Sequence, residues 1–156
     1  MKDSEIKELI EIEKIITEGP KDSFILKQGS LRNDFNLESS VNSRKFHAFI
    51  RINETFSEDF SIGLVYINGE GKSICIVRCN GKHYHKNKIR NNDNLNDFHV
   101  HIATEDAISN ELSPEQYAEV TQSYATWQDA LSYFCKYVNI KGADKYFPNL
   151  NQPSLF

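Results

Sequence analysis

No stretch of this 156-residue chain approaches the ~20 consecutive apolar residues that a membrane-spanning helix requires. The opening residues, MKDSEIKELIEIEK, carry charge where a secretory signal carries an apolar block. Together these absences predict a protein made and kept in the cytoplasm, with no membrane partner. Glycine-rich phosphate cradles of the P-loop or dinucleotide kind are also missing, which excludes an ordinary NTPase or dehydrogenase, and no cofactor is implied. Cysteine is scarce. Cys75, Cys79 and Cys135 match no zinc-finger spacing, and an odd number in an unexported chain predicts buried free thiols. Four residues apart on an extended strand, Cys75 and Cys79 are expected on one face. No internal repeat or second domain is visible.

Acid is missing from one place in an otherwise acidic protein. The formal net charge is −4, which argues against binding nucleic acid through the whole surface. Yet the run from Lys72 to Asn92 holds six cations, Lys72, Arg78, Lys82, Lys86, Lys88 and Arg90, and neither Asp nor Glu. The remaining twelve Lys and Arg stand against all 22 acids of the chain. A basic site on an acidic body can be local and selective; the bland alternative is a solvated basic loop. The longer stretch from Lys72 to Ile102 carries four of the five histidines as two His-x-His pairs, His83/His85 inside that run and His99/His101 beyond it. Side chains two apart share a face of a strand, so each pair would present two imidazoles to one place.

Taken in order, residues Asp3 to Glu18 read as one amphipathic helix through Ile6, Leu9, Ile10, Ile12, Ile15 and Ile16, stopped by Gly19-Pro20. Strand-like pieces follow around Phe24 to Lys27 and Arg32 to Leu37. Arg44 to Ile52 alternates cleanly, with His47 on the mixed face as a structural residue. Phe60 to Ile67 and Ser73 to Cys79 form a hairpin, with Asn68-Gly69 and Gly71 supplying positive φ at the turn. In its second strand Arg78 is expected to share a face with Ile74 and Ile76 and to aim its guanidinium into a cleft. Lys86 to Asp97 reads as a long polar loop. Beyond it Phe98, Val100 and Ile102 point inward, while Asp97, His99 and His101 face the wet or cleft-forming side. A helix start stands at Ser113-Pro114-Glu115. A stronger helix covers Thr126 to Val138, capped by Thr126, with Trp127 read as core. The tail from 141 to 156 is irregular. The sum is a single domain over residues 1–156, ordered from about 4 to 140. Its expected fold is α+β, an antiparallel sheet of four to six strands with an N-terminal and a C-terminal helix packed on it.

Three functions fit these residues. Paired imidazoles near neutrality can supply both a base and an acid, and surrounding cations can hold a phosphate, as RNA cleavage through the 2′-OH requires. In that reading His99 and His101 are the acid–base pair, with His83 or His85 as alternate partners. Arg78, Lys82, Lys86, Lys88 and Arg90 bind the ligand, which is RNA or another phosphate-bearing molecule, and the protein is a metal-independent ribonuclease of toxin type. Four imidazoles could instead ligate Zn²⁺, but the cations beside His83 and His85 oppose a dication, so no metal ligands are assigned. The third reading is a non-enzymatic inhibitor, antitoxin or immunity protein, of the anti-defence or anti-CRISPR kind, that blocks a host target protein by contact.

The helix ELIEIEK, the strand IVRCNGKHYHKN, the strand HVHI and the closing helix TWQDALSYFCKYVNI resemble, in that order, an uncharacterised family of small bacterial and phage proteins. The resemblance spans about Glu8 to Ile140 and implies no activity. The histidine-rich middle is also similar to the TumE-type toxins of toxin–antitoxin modules, which implies a toxin acting on RNA and a cognate antitoxin. The wide separation of the two histidine pairs and the acidic overall charge depart from that pattern.

Overall fold

The N-terminal amphipathic pattern is a helix only as far as Glu11. Helix α1 (Asp3–Glu11) buries Ile6, Leu9 and Ile10 and carries no basic residue in its last turn. Ile12 then turns extended (φ −59°, ψ 136°), and the β-branched run Ile15-Ile16-Thr17 continues as a strand, β1 (Lys14–Glu18). The computed structural model describes residues 1–82, 97–110, 112 and 118–148. The following elements are β2 (Ile25–Lys27), β3 (Ser30–Ser39), β4 (Lys45–Asn53), β5 (Phe60–Ile67), β6 (Ser73–Asn80), β7 (His99–Ile102), α2 (Glu105–Ser109), β8 (Ala118–Val120), α3 (Trp127–Tyr137) and β9 (Ile140–Lys141). A short 3-10 turn spans Ala143–Lys145.

All nine strands join one sheet in the order β8-β7-β6-β5-β4-β3-β1-β9, with β2 paired to β3 beside β1. Every pairing is antiparallel except β1 with β9, which is parallel. The sheet curls around α1 and α3, which cover one of its faces. This mixed nine-stranded sheet overturns the expected antiparallel sheet of four to six strands packed by two helices. The strands not expected are β1, read as the last turns of the N-terminal helix, and the two short strands β8 and β9. β8 and β9 have three and two residues, too short to show a period. The strand-like piece expected at Arg32 to Leu37 is the middle of β3, which runs two residues further at each end and buries the polar Asn33 and Ser39. Ser113-Pro114-Glu115 and residues 86–96 of the expected loop lie outside the described residues.

Other expectations hold. Phe46, Ala48, Ile50 and Ile52 are buried in strict alternation along β4, and β5 and β6 form the expected hairpin. At its turn Asn68 Oδ1 accepts from the backbone N–H groups of Glu70 and Lys72, and Gly71 adopts φ +79°. Gly69 does not take a positive φ. Thr126 Oγ1 accepts from Asp129 N at 3.1 Å, capping α3, whose Ala130, Leu131, Phe134 and Cys135 enter the core.

A bulge in β6 changes which residues share a face. Leu64 pairs with Val77 but Val65 pairs with Cys75, so Ile76 is an extra residue on its strand. Cys75 and Cys79 therefore lie on opposite faces, and Arg78 is on the face opposite Ile74. Cys79 and Cys135 are buried free thiols, pushed up to about 12 by burial, and Cys75 is half-buried.

The two helix C-termini meet at Lys14. Its ammonium, fully buried, donates to the carbonyls of Ile10 (2.9 Å), Ile12 (2.8 Å) and Val138 (2.7 Å). Asn139, in the left-handed region at φ 58°, returns the arrangement by donating Nδ2 to the Glu11 carbonyl at 2.9 Å. Each helix is thus capped by a residue just beyond the end of the other. Burial pulls the Lys14 ammonium down from 10.5 to about 7. Lys14→Met should cost about 3–5 kcal/mol, since three buried carbonyls lose their partner. Because the folded value lies below the unfolded one, the unfolded chain binds more protons between about pH 7 and 10.5, so unfolding free energy rises with pH across that window. Denaturant titrations of wild type and Lys14→Met should therefore show a stability gap that widens from pH 7 to pH 9; a gap independent of pH would mean that Lys14 keeps its proton throughout.

Candidate functional site

The face of the sheet opposite α1 and α3 is polar because the second residue of each alternating pair points there. One row of directly opposed residues crosses seven strands: Ile25, Arg32, Arg51, Ser61, Asn80, His99 and Val120. The next row runs Asp34, Phe49, Gly63, Arg78, His101 and Ala118. The histidines of β7 and the cations of β3 and β4 therefore belong to one surface, although the chain separates them widely.

At one end of the rows His99 and His101 come together as their spacing predicts, with ring centroids 4.9 Å apart. They do not stand on a wet surface: their exposures are 2% and 3%. Ser61 Oγ donates to Asn80 Oδ1 at 2.7 Å, which turns the Asn80 amide nitrogen toward His99 Nε2 at 3.4 Å. His99 Nδ1 lies 2.8 Å from the Asp97 carbonyl. This network makes Nδ1 the donor and Nε2 the acceptor. From the core side the Tyr124 hydroxyl reaches the backbone carbonyls of Asn80 (2.9 Å) and His99 (2.8 Å), and burial pushes its ionisation up. Tyr124 thus clips β6 to β7 beneath the pair, a role that its place in the irregular stretch before α3 did not announce.

Arg78 stands directly across from His101. Lys82 is drawn elsewhere: its ammonium pairs with Glu58 at 3.4 Å and lies over the Phe98 ring at 5.3 Å, at the end of the sheet. His83, His85, Lys86, Lys88 and Arg90 lie outside the described residues. Among the described residues no three His, Cys, Asp or Glu side chains converge as metal ligands would.

At the other end of the rows is a groove of about 290 Å³ lined by Lys21, Ile25, Lys27, Arg32, Asn33, Asp34 and Arg51. Buried Asn33 accepts from Lys21 N and donates to Lys21 O, fixing the segment that brings Lys21 there. Four cations face one carboxylate, and that carboxylate is already engaged: Asp34 accepts from Arg51 on both oxygens and meets His47 Nε2 at 3.1 Å on one of them. Burial alone would raise the Asp34 carboxyl, but Arg51 and His47 outweigh it and hold the group below its usual range. His47 Nδ1 meets Asn36 Oδ1 at 2.7 Å, and Glu18 orients that amide by accepting from its Nδ2. Arg32 is left without a carboxylate partner among the described residues, with its Nε buried and unbonded. It also sits directly across from Arg51. Like charges in that relation repel.

Residues 1–140 match the family described as a family of unknown function, DUF6978. The chain belongs to that family. No curated protein and no solved structure matches it. No helix among the described residues is long and apolar enough to cross a membrane.

Between the two ends, the Phe49 ring lies against Gly63, where an added Cβ would come within 2.3–2.4 Å of its tip, and Arg51 rests 5.3 Å from the ring centre. Gly63→Ala should destabilise the fold by about 1–3 kcal/mol through overpacking. Most of that cost should vanish in a Phe49→Ala background. Urea unfolding of the four proteins in a double-mutant cycle measures the coupling, and additive effects would show that the ring does not depend on this glycine.

Proposed function

We propose that the polar face of the sheet binds a phosphate-bearing polyanion, RNA foremost, with the groove between β2 and β4 as its anchoring site. The observation that carries this reading is the Arg32–Arg51 pair, two arginines directly paired across strands, with Lys21 and Lys27 beside them and the one lining carboxylate, Asp34, already bonded to Arg51. An anion seated between them replaces their repulsion with charge-assisted hydrogen bonds, which arginine forms bidentately to phosphate. Three strand spacings separate Arg51 from His99, roughly 14 Å. A lone phosphate cannot touch both, whereas an extended polynucleotide can cross from the groove to the histidines. Phe49 lies between them on the same face, where a base could stack.

Cleavage is a further step in this reading. His99 and His101 have the proximity that proton transfer requires, and their burial means that the strand or its cover must open for a 2′-OH to reach them. A second reading, contact with a partner protein, has its own support in β2, an exposed strand that shows Ile25 (48%) and Leu26 (57%) to solvent.

Fluorescence anisotropy with end-labelled single-stranded RNA tests the binding. Arg32→Glu with Lys27→Glu should weaken it by about tenfold or more and flatten its salt dependence, whereas Lys7→Glu with Lys136→Glu, away from the groove, should change it little. Failure to saturate at low salt, or equal loss in both variants, would sink the proposal. Incubation of the same RNA with EDTA present, comparing wild type with His101→Gln, tests cleavage apart from binding: RNA that is bound but stays intact removes the ribonuclease step and leaves the binding claim standing.

A further inference from the structure

A second cavity, of about 470 Å³, lies beside the start of α3 and is lined by aromatic rings of three separate segments: Phe24 before β2, Trp127 at the start of α3, and Tyr146 and Phe147 after the 3-10 turn. Each ring is held from behind. Phe24 meets Trp127 edge-on at 5.6 Å, Phe147 meets buried Phe35 at 5.6 Å, and Tyr146 lies against the bare backbone of Gly19, where a Cβ would come within 2.4 Å of the ring. The remaining lining among the described residues is Asp22, Gln128, Leu131 and Pro148, with no cation. Among the described residues no ion pair engages Asp22.

We propose that this cavity is a binding site for a quaternary ammonium group. Aromatic rings attract a cation through their negative faces, and a single carboxylate at the rim supplies the remaining charge. A neutral apolar occupant would gain nothing from the charge of Asp22, which stands exposed at the rim. A primary ammonium would have to give up strong hydration among the rings. A methylated ammonium satisfies both surfaces, with methyl groups against the aromatics and diffuse charge toward the carboxylate. The site is independent of the phosphate groove, from which residues 21–25 divide it: Lys21 and Ile25 line the groove, whereas Asp22 and Phe24 line this cavity.

Trp127 is the chain's one tryptophan, so intrinsic fluorescence reports on the site directly. Choline titrated into the full-length protein should change that emission saturably, and its neutral isostere 3,3-dimethylbutan-1-ol should not. Tyr146→Ala, at a side chain 45% exposed and so dispensable for folding, should weaken choline by about tenfold, and Asp22→Asn by several fold. Circular dichroism and thermal melts check that both variants fold. Gly19→Ala, which displaces the Tyr146 ring, should weaken choline in the same direction. No saturable response to choline, an equal response to the neutral isostere, or undiminished choline binding in Tyr146→Ala and Asp22→Asn would each overturn the proposal.

Discussion

A buried lysine whose ammonium is bonded to three backbone carbonyls holds this fold together. Lys14 begins the strand that carries the sheet beyond β3, and its ammonium ties the ends of α1 and α3 through three carbonyls. Helix C-termini gather partial negative charge, and α1 has no basic residue in its own last turn to answer it. An ammonium has three N–H donors and Lys14 spends all of them on carbonyls, so the geometry suits the charged form even as burial opposes it. The Phe46 ring, 4.9 Å away, covers the same group from the core. A carboxylate in that pocket would compete for the ammonium and leave the helix ends unsatisfied. The parallel pairing of β1 with β9 follows from the same junction, since Lys14 N also donates to Asn139 O at 2.9 Å.

With both helices committed to one face, the other is free to be polar, and alternation along β3 to β7 fills it. Arg32, Asp34, Asn36, His47, Arg51, Ser61, Asn80 and the two β7 histidines all occupy the residue left over from the core. The bulge at Ile76 matters here. Without it, Arg78 would have kept the company of Ile74, and the register that sets it across from Gly63 and His101 would be lost. Gly63 serves the same face by leaving the space into which Phe49 lies.

How much of this could be read from the chain depends on whether the deciding residues were neighbours in sequence. The alternation of β4, the Asn68 turn and the Thr126 cap are local and stood out. The end of α1 did not, because Ile12, Ile15 and Ile16 fit a helical stripe as well as a strand, and what ends the helix is Lys14 reaching Val138, 124 residues away. The middle of β3 was legible, but not its full length, and nothing local announced that Asn33 is buried to hold the backbone of Lys21. The histidine pair was legible as a pair, since a spacing of two is a local property. Its burial was not, because cover comes from other parts of the chain. The groove was invisible for the opposite reason: Lys21, Lys27, Arg32 and Arg51 are spread among acids in sequence and concentrate only when β2, β3 and β4 pair.

The short segment between β1 and β2 shows how one stretch of backbone can serve two chemistries. Gly19 gives Tyr146 its seat, Asn33 clamps Lys21, and Phe24 braces Trp127. Between those fixed points, Lys21 and Ile25 line the cationic groove while Asp22 and Phe24 line the aromatic cavity. Charges of opposite sign on adjacent residues would largely cancel if both stood in the same water. Both are exposed, but they line different pockets, so each charge lies nearest its own site, where the local field depends on the few groups around it more than on the net charge of the chain. An acidic protein can therefore hold a basic groove and an acidic cage within five residues of each other.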